Sequence, residues 1–117
     1  MIRKKIEMEV QRNVNMRGGQ GTVVLEHLLD KEKDEFYGKG RLFSRITLEP
    51  GCSVGYHVHE NEMECYYILK GSPEYDDNGE KVILHPGDAA LTRSGEGHGI
   101  LNNTDETVEL IALILYQ

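Results

Sequence analysis

The sequence predicts an all-β domain, and three observations carry that reading. Glycine is abundant, at 13 of 117 residues, in a chain without low-complexity stretches. From residue 41 onward the apolar residues fall into short runs separated by turn signals such as Pro50-Gly51, Asn78-Gly79 and Pro86-Gly87. No helical period competes with those runs after residue 40.

Residues 1–20 are polar and end in Gly18-Gly19-Gln20-Gly21, which reads as a loop or arm. The apolar stretch 22–29 fits a strand or a short helix, and the charged stretch 30–40 reads as a solvated surface loop. Regular alternation starts at 41–49, where Leu42, Ser44, Ile46 and Leu48 share one face. Short strands follow at 54–59 and 63–70, the second closed by Gly71. Residues 72–77 lead into Asn78-Gly79, the strongest hairpin signal in the chain, with 80–85 as the returning strand. Runs at 89–92, 98–103 and 107–116 complete about eight short strands. Sandwich, barrel and jelly roll all satisfy this pattern, so periodicity alone leaves the architecture open. The expected organisation is an N-terminal arm and first-strand region over 1–40 and a barrel over 41–117, one domain overall.

Composition narrows the function. Thirteen basic residues stand against 20 acidic ones, a formal net charge of -7. Nucleic acid, which needs a basic face, is not an expected partner. No apolar run approaches the roughly 18 residues of a membrane span, so no membrane partner is expected. The opening MIRKKIEMEV is basic but lacks the apolar segment of a secretion signal, so the expected location is cytoplasmic. Cys52 and Cys65 are expected to be reduced thiols, and their spacing does not suit a zinc clip.

The sharpest chemical signal is His57 and His59. On a strand, positions i and i+2 project to the same face about 7 Å apart. Two imidazoles on an inward face make a poor core and a good half-site for a metal. Glu64 sits on the next strand, and His98 opens a later one directly after a Gly-rich turn. Three neutral imidazoles and one carboxylate around a divalent ion leave a net charge near +1, and an octahedral ion keeps two positions open. Glu62 would replace Glu64 only at equal parity. His27 and His85 read as surface residues. Tyr66, Phe43 and Arg93 are the candidate substrate-binding residues, the arginine through a bidentate grip on a carboxylate. Arg45 reads as a solvated cation.

Gly51-x5-His57-x-His59-x4-Glu64-x6-Gly71 resembles the first cupin motif at every position. Gly87-x5-Arg93-x-Gly95-x2-His98-x3-Asn102 resembles the second at every position but one, since Arg93 stands where the family usually has proline. The likeness covers residues 41–116. It implies a double-stranded β-helix, or jelly-roll, barrel with a metal inside its mouth. It also implies that His57, His59, Glu64 and His98 are the ligands and that Gly51, Gly71, Gly87 and Gly95 are turn glycines. Asn102 is implied to be structural. The ion would be one divalent transition metal: manganese, iron, nickel, cobalt or zinc.

Fold does not fix function. The resemblance, with the chain similar to small single-domain oxalate decarboxylase-like cupins, implies a metal-dependent enzyme, an oxidoreductase or lyase. Its substrate would be a small carboxylated or oxygenated molecule, and its reaction of dioxygenase, decarboxylase or isomerase type. The alternative is a non-catalytic metal-dependent small-ligand binding or sensor protein. Oxalate decarboxylase-type members carry an arginine three residues before the first ligand histidine. That position is Val54 here, so oxalate turnover is expected to be slow or absent. The final strand is apolar on both faces, which predicts a homodimer.

Overall fold

The computed structural model describes residues 1–117 as ten strands and three single 3₁₀ turns. The strands are β1 (Glu9–Val14), β2 (Thr22–His27), β3 (Gly40–Leu48), β4 (Ser53–Val58) and β5 (Glu62–Lys70), then β6 (Glu74–Asp77), β7 (Glu80–Ile83), β8 (Ala89–Thr92), β9 (Gly97–Leu101) and β10 (Val108–Tyr116). They form a six-stranded sheet in the order β1-β2-β3-β10-β5-β8 and a four-stranded sheet in the order β4-β9-β6-β7. Every pairing is antiparallel. This is the all-β jelly roll that the turn pattern and the two motifs predict. No helix is long and apolar enough to cross a membrane.

The alternation read from the sequence sets the inner face. Ser44, Ile46 and Leu48 of β3 are buried, as are Val108, Leu110, Ala112 and Ile114 of β10 beside them. Val23, Leu25 and Ile68 join them from the same sheet, while Val54, Tyr75 and Ile100 face them from the other. The Asn78-Gly79 hairpin forms as expected between β6 and β7. Both residues take positive φ, 52° and 93°, as a two-residue hairpin turn requires. Gly51, Gly71, Gly87 and Gly95 also have positive φ, which explains their place in the two motifs.

Two local irregularities matter for the site. Between β3 and β10 the register slips, so Ile114 pairs with Leu42 while Leu115 pairs with Gly40. Arg41 is the extra residue, and a bulge of this kind turns a side chain away from its alternating direction. Between β4 and β9, Val54 pairs with Ile100 and His57 with His98, so Gly55 and Tyr56 oppose Gly99 alone. That bulge lets Val54 and His57, three residues apart, both face the barrel interior.

The first twenty residues depart from the expected loop. They hold β1, which pairs along its full length with β2. Its side chains are almost all exposed, Val10 and Val14 included, so no buried face marks it and the backbone ladder makes it a strand. The stretch 30–40 is mostly exposed, as its charge suggested, and Glu35 ties it to the N-terminus. Arg3 donates two hydrogen bonds to Glu35, at 2.7 and 3.0 Å, fastening the N-terminus to it. Arg45 is likewise paired, with Glu109 at 2.6 Å and Glu26 at 3.5 Å.

Asn102 closes the apolar end of the barrel. It is fully buried, and its amide donates to the carbonyls of Leu48 and Glu106 at 2.8 and 2.7 Å. Its carbonyl accepts from the Thr104 backbone and hydroxyl. Asn102→Ala strands those two carbonyls without a donor. Its expected cost is about 2–3 kcal/mol, measured as a lower urea midpoint with unchanged slope.

Candidate metal centre

The opposite end of the barrel is polar. His57 is the last residue but one of β4, His59 follows the strand, Glu64 lies early on β5, and His98 lies early on β9. One donor atom from each falls within 4.8 Å of all the others. His59 and Glu64 are almost wholly buried, and His98 is more so. His59 Nε2 lies 3.2 Å from a Glu64 oxygen, His98 Nε2 lies 2.9 Å from the same oxygen, and the two Nε2 atoms are 3.1 Å apart. The three imidazole centroids are mutually 4.8–5.0 Å apart.

The outer nitrogens determine what the inner ones can do. His57 Nδ1 donates to the Gly55 carbonyl at 2.8 Å. His59 Nδ1 lies 3.1 Å from the Glu62 carboxylate, which can only accept, so Nδ1 carries the proton. In their neutral forms both rings therefore turn a bare Nε2 lone pair inward, and protonated His59 would donate from Nε2 to Glu64. His98 Nδ1 is 2.8 Å from the Tyr75 hydroxyl, which also contacts Thr92 at 2.9 Å. Lone pairs and a carboxylate converging in a buried space lack a positive partner, and a divalent cation is what this donor set fits.

The surroundings shift the protonation equilibria. Burial works to raise the Glu64 carboxyl, yet hydrogen bonds and charge from His59 and His98 hold it down to about 2. The bond to Glu64 raises His59 above the usual histidine value, with Glu62 helping. Burial lowers His57. Burial also opposes ionisation of Glu62, but Arg41 and His59 bring its carboxyl below the ordinary range.

Arg41 and Glu62 are the participants the sequence concealed. Glu62 begins β5 at the same parity as Glu64, so it points inward, but as a support for His59 rather than a substitute for Glu64. Arg41 grips it from the β3 bulge, with Nη2 at 2.8 Å and Nε at 3.0 and 3.2 Å. No spacing rule pairs residues 41 and 62, and the bulge that brings them together has no glycine or proline at Arg41 to mark it.

A cavity of about 50 Å³ adjoins the cluster, lined by His57, His59, Glu64 and Tyr66, by Arg17 and Arg41, and by apolar walls including Leu42, Ile46, Val54 and Ile114. Of the three residues expected to bind substrate, only Tyr66 lines it. Phe43 lies on the outward face of β3, opposite in parity to Ser44 and Ile46, and Arg93 is exposed on the turn after β8. The cations at the cavity are instead Arg17 and Arg41. His85 is exposed as expected, whereas His27 is half-buried between Ser44 and Gln11. A larger, shallow groove of about 360 Å³ runs outside β4 and β9, but none of the four clustered residues lines it.

The barrel and this cluster define a cupin, and the chain belongs to that family: the Cupin domain matches residues 44–114. The chain is 45% identical over 115 residues to a Thermotoga maritima protein named oxalate-binding protein, covering 98% of this chain and 93% of that one. The crystal structure of a predicted oxalate decarboxylase from Thermotoga maritima matches with a TM-score of 0.92 at 44% identity, covering all of both chains. A sugar phosphate isomerase of the cupin superfamily from Silicibacter pomeroyi matches at 0.77 with 19% identity, over all of this chain and 76% of that one, a likeness of fold alone.

Metal affinity is expected to fall as pH drops through the histidine range, because only neutral imidazoles ligate. His59, raised by its carboxylate neighbours, takes up its proton at higher pH than an ordinary histidine, so loss begins early in that descent. Metal content measured after dialysis at stepped pH checks this. His59→Ala is expected to strip the metal from a folded chain, and Glu62→Gln to weaken binding about 10–100-fold by loosening the His59 ring.

Proposed function

We propose that this protein is a metal-dependent binder of small carboxylates, with His57, His59, Glu64 and His98 as the ligands of one divalent transition metal and oxalate as the leading ligand. The observation that carries the reading is the convergence of four donor atoms beside a cavity of only about 50 Å³. That volume favours a molecule of a few heavy atoms over a sugar or nucleotide. A bound ion supplies open positions for two carboxylate oxygens and polarises them. The name of the Thermotoga maritima relative points to the same ligand.

Binding without efficient turnover is favoured over the lyase or oxidoreductase reading by the groups around the cavity. Decarboxylation leaves a carbanion that needs a proton. The Tyr66 phenol lines the cavity, but burial and then the charge of Glu64 push it well above its usual value, so it is a weak acid there. Glu62 is engaged by Arg41 and His59 and held in its charged form. Val54, buried in the cavity wall, presents only methyl groups.

The proposal extends to a homodimer. β2 extends the sheet edge-on beside β3 instead of lying across the outer face of β10. Tyr67, Leu69 and Leu91 are exposed on β5 and β8 of that sheet, and a second copy is the expected cover.

Calorimetry of the manganese-loaded protein with oxalate is expected to show binding that chelation of the metal abolishes. Incubation with oxalate is expected to yield little formate or carbon dioxide, and robust formate production would establish turnover instead. Sedimentation at high micromolar concentration is expected to give a dimer, and a monomer would remove that part of the proposal.

A further inference from the structure

Three of the chain's six arginines are committed to carboxylates: Arg3 to Glu35, Arg41 to Glu62, and Arg45 to Glu109 and Glu26. Arg17 has no carboxylate partner and no side-chain hydrogen bond, yet it lines the cavity beside the histidines. It comes from the turn between β1 and β2, well outside both sequence motifs. Its backbone is left-handed, with φ 54° and ψ 33°, a region that disfavours side-chain-bearing residues. Strained positions of this kind persist where the surrounding structure enforces them.

The enforcement is visible. A Cβ on Gly55 would collide with the Arg17 carbonyl oxygen, and a Cβ on Gly19 would collide with the Ser53 carbonyl oxygen. Two missing side chains thus let the turn lie backbone to backbone on β4. Reciprocal bonds lock it there: Gln20 N–H donates to the Ser53 hydroxyl at 2.8 Å, and Ser53 N–H donates to the Gln20 carbonyl at 2.9 Å. The Gly55 carbonyl that this contact positions is also the one that orients His57. The Arg17 backbone is therefore fixed relative to the strand that carries His57, while its exposed side chain stays free of protein partners at the cavity rim.

Charge indicates what Arg17 would meet. Arg41 and Glu62 neutralise one another, and Glu64 offsets one of the two charges of a divalent ion. One positive charge remains at the centre, and Arg17 brings the total to two. The remaining walls are largely apolar, through Leu42, Ile46, Val54 and Ile114. A small dianion matches this field, and a monocarboxylate leaves half of it unanswered. A dicarboxylate that chelates a metal keeps two outer oxygens free, a fork that a guanidinium meets with parallel N–H bonds.

Resting on the carboxylate-binding reading above, we propose that Arg17, presented by the β1–β2 turn, is the specificity residue that selects dicarboxylates over monocarboxylates at the centre. The test uses the full manganese-loaded chain with oxalate and acetate as probes. Arg17→Asn removes the charge while tolerating the left-handed backbone, and Arg17→Lys keeps the charge without the fork. Arg17→Asn is expected to bind oxalate at least about tenfold more weakly than wild type. Its acetate affinity should fall far less than its oxalate affinity and its metal content should be unchanged, with Arg17→Lys intermediate on oxalate. Oxalate affinity within about twofold of wild type in Arg17→Asn overturns this inference and leaves carboxylate binding standing. Loss of metal from Arg17→Asn also overturns it, because the residue would then be structural. A wild-type protein that binds metal but no oxalate overturns both.

Discussion

The structure depends on a simple allocation of protons. Where Nδ1 of His57 and His59 is bonded to an acceptor, Nε2 of the neutral ring has no hydrogen and can only accept. The barrel therefore builds a pocket of converging lone pairs around Glu64, an arrangement that repels itself until a cation joins it. The supports are varied in kind: a backbone carbonyl from β4, a carboxylate anchored by an arginine, and a tyrosine bonded in turn to a threonine. Each holds one ring through its outer nitrogen. The apolar end of the barrel supplies rigidity, and the polar end can then hold groups that would not pack together by themselves.

Much of this was legible in the sequence because the relevant signals are local. Asn78-Gly79 named its own turn, and alternation in β3 and β10 named the inner face. His57-x-His59 named a shared face. Glu64 and His98 were placed by motif likeness, and the fold brings them to the predicted cluster. What remained hidden was non-local or unmarked. β1 buries neither face, so its identity lies in its hydrogen bonds to β2 and not in its side chains. Glu62 could be assigned only once the start of β5 was known.

The bulges account for the remaining surprises. Parity arguments assume an unbroken ladder, and two residues per step invert every assignment beyond a slip. One such slip turns Arg41 toward Glu62, while Phe43, two residues on, stays outside. The other turns Val54 inward beside His57. Both occur next to the histidine–glutamate cluster, where a regular ladder would have aimed different side chains into the cavity. Arg93, near His98 in sequence, lies on the exposed turn after β8 and does not line the cavity.

The position of β10 has a consequence for the order of assembly. It is the last strand in sequence, yet it lies between β3 and β5 and pairs with both over nearly its whole length. Until residues 108–116 are available, β3 and β5 have no common neighbour, and Glu64 lacks its cross-strand partner Ile114. A chain emerging vectorially must therefore hold its earlier strands with an unfilled seam between them. Such a nascent chain exposes two strand edges and much of the future core. The six-stranded sheet is therefore complete only with its last strand, the neighbour that joins the Glu64 strand to β3.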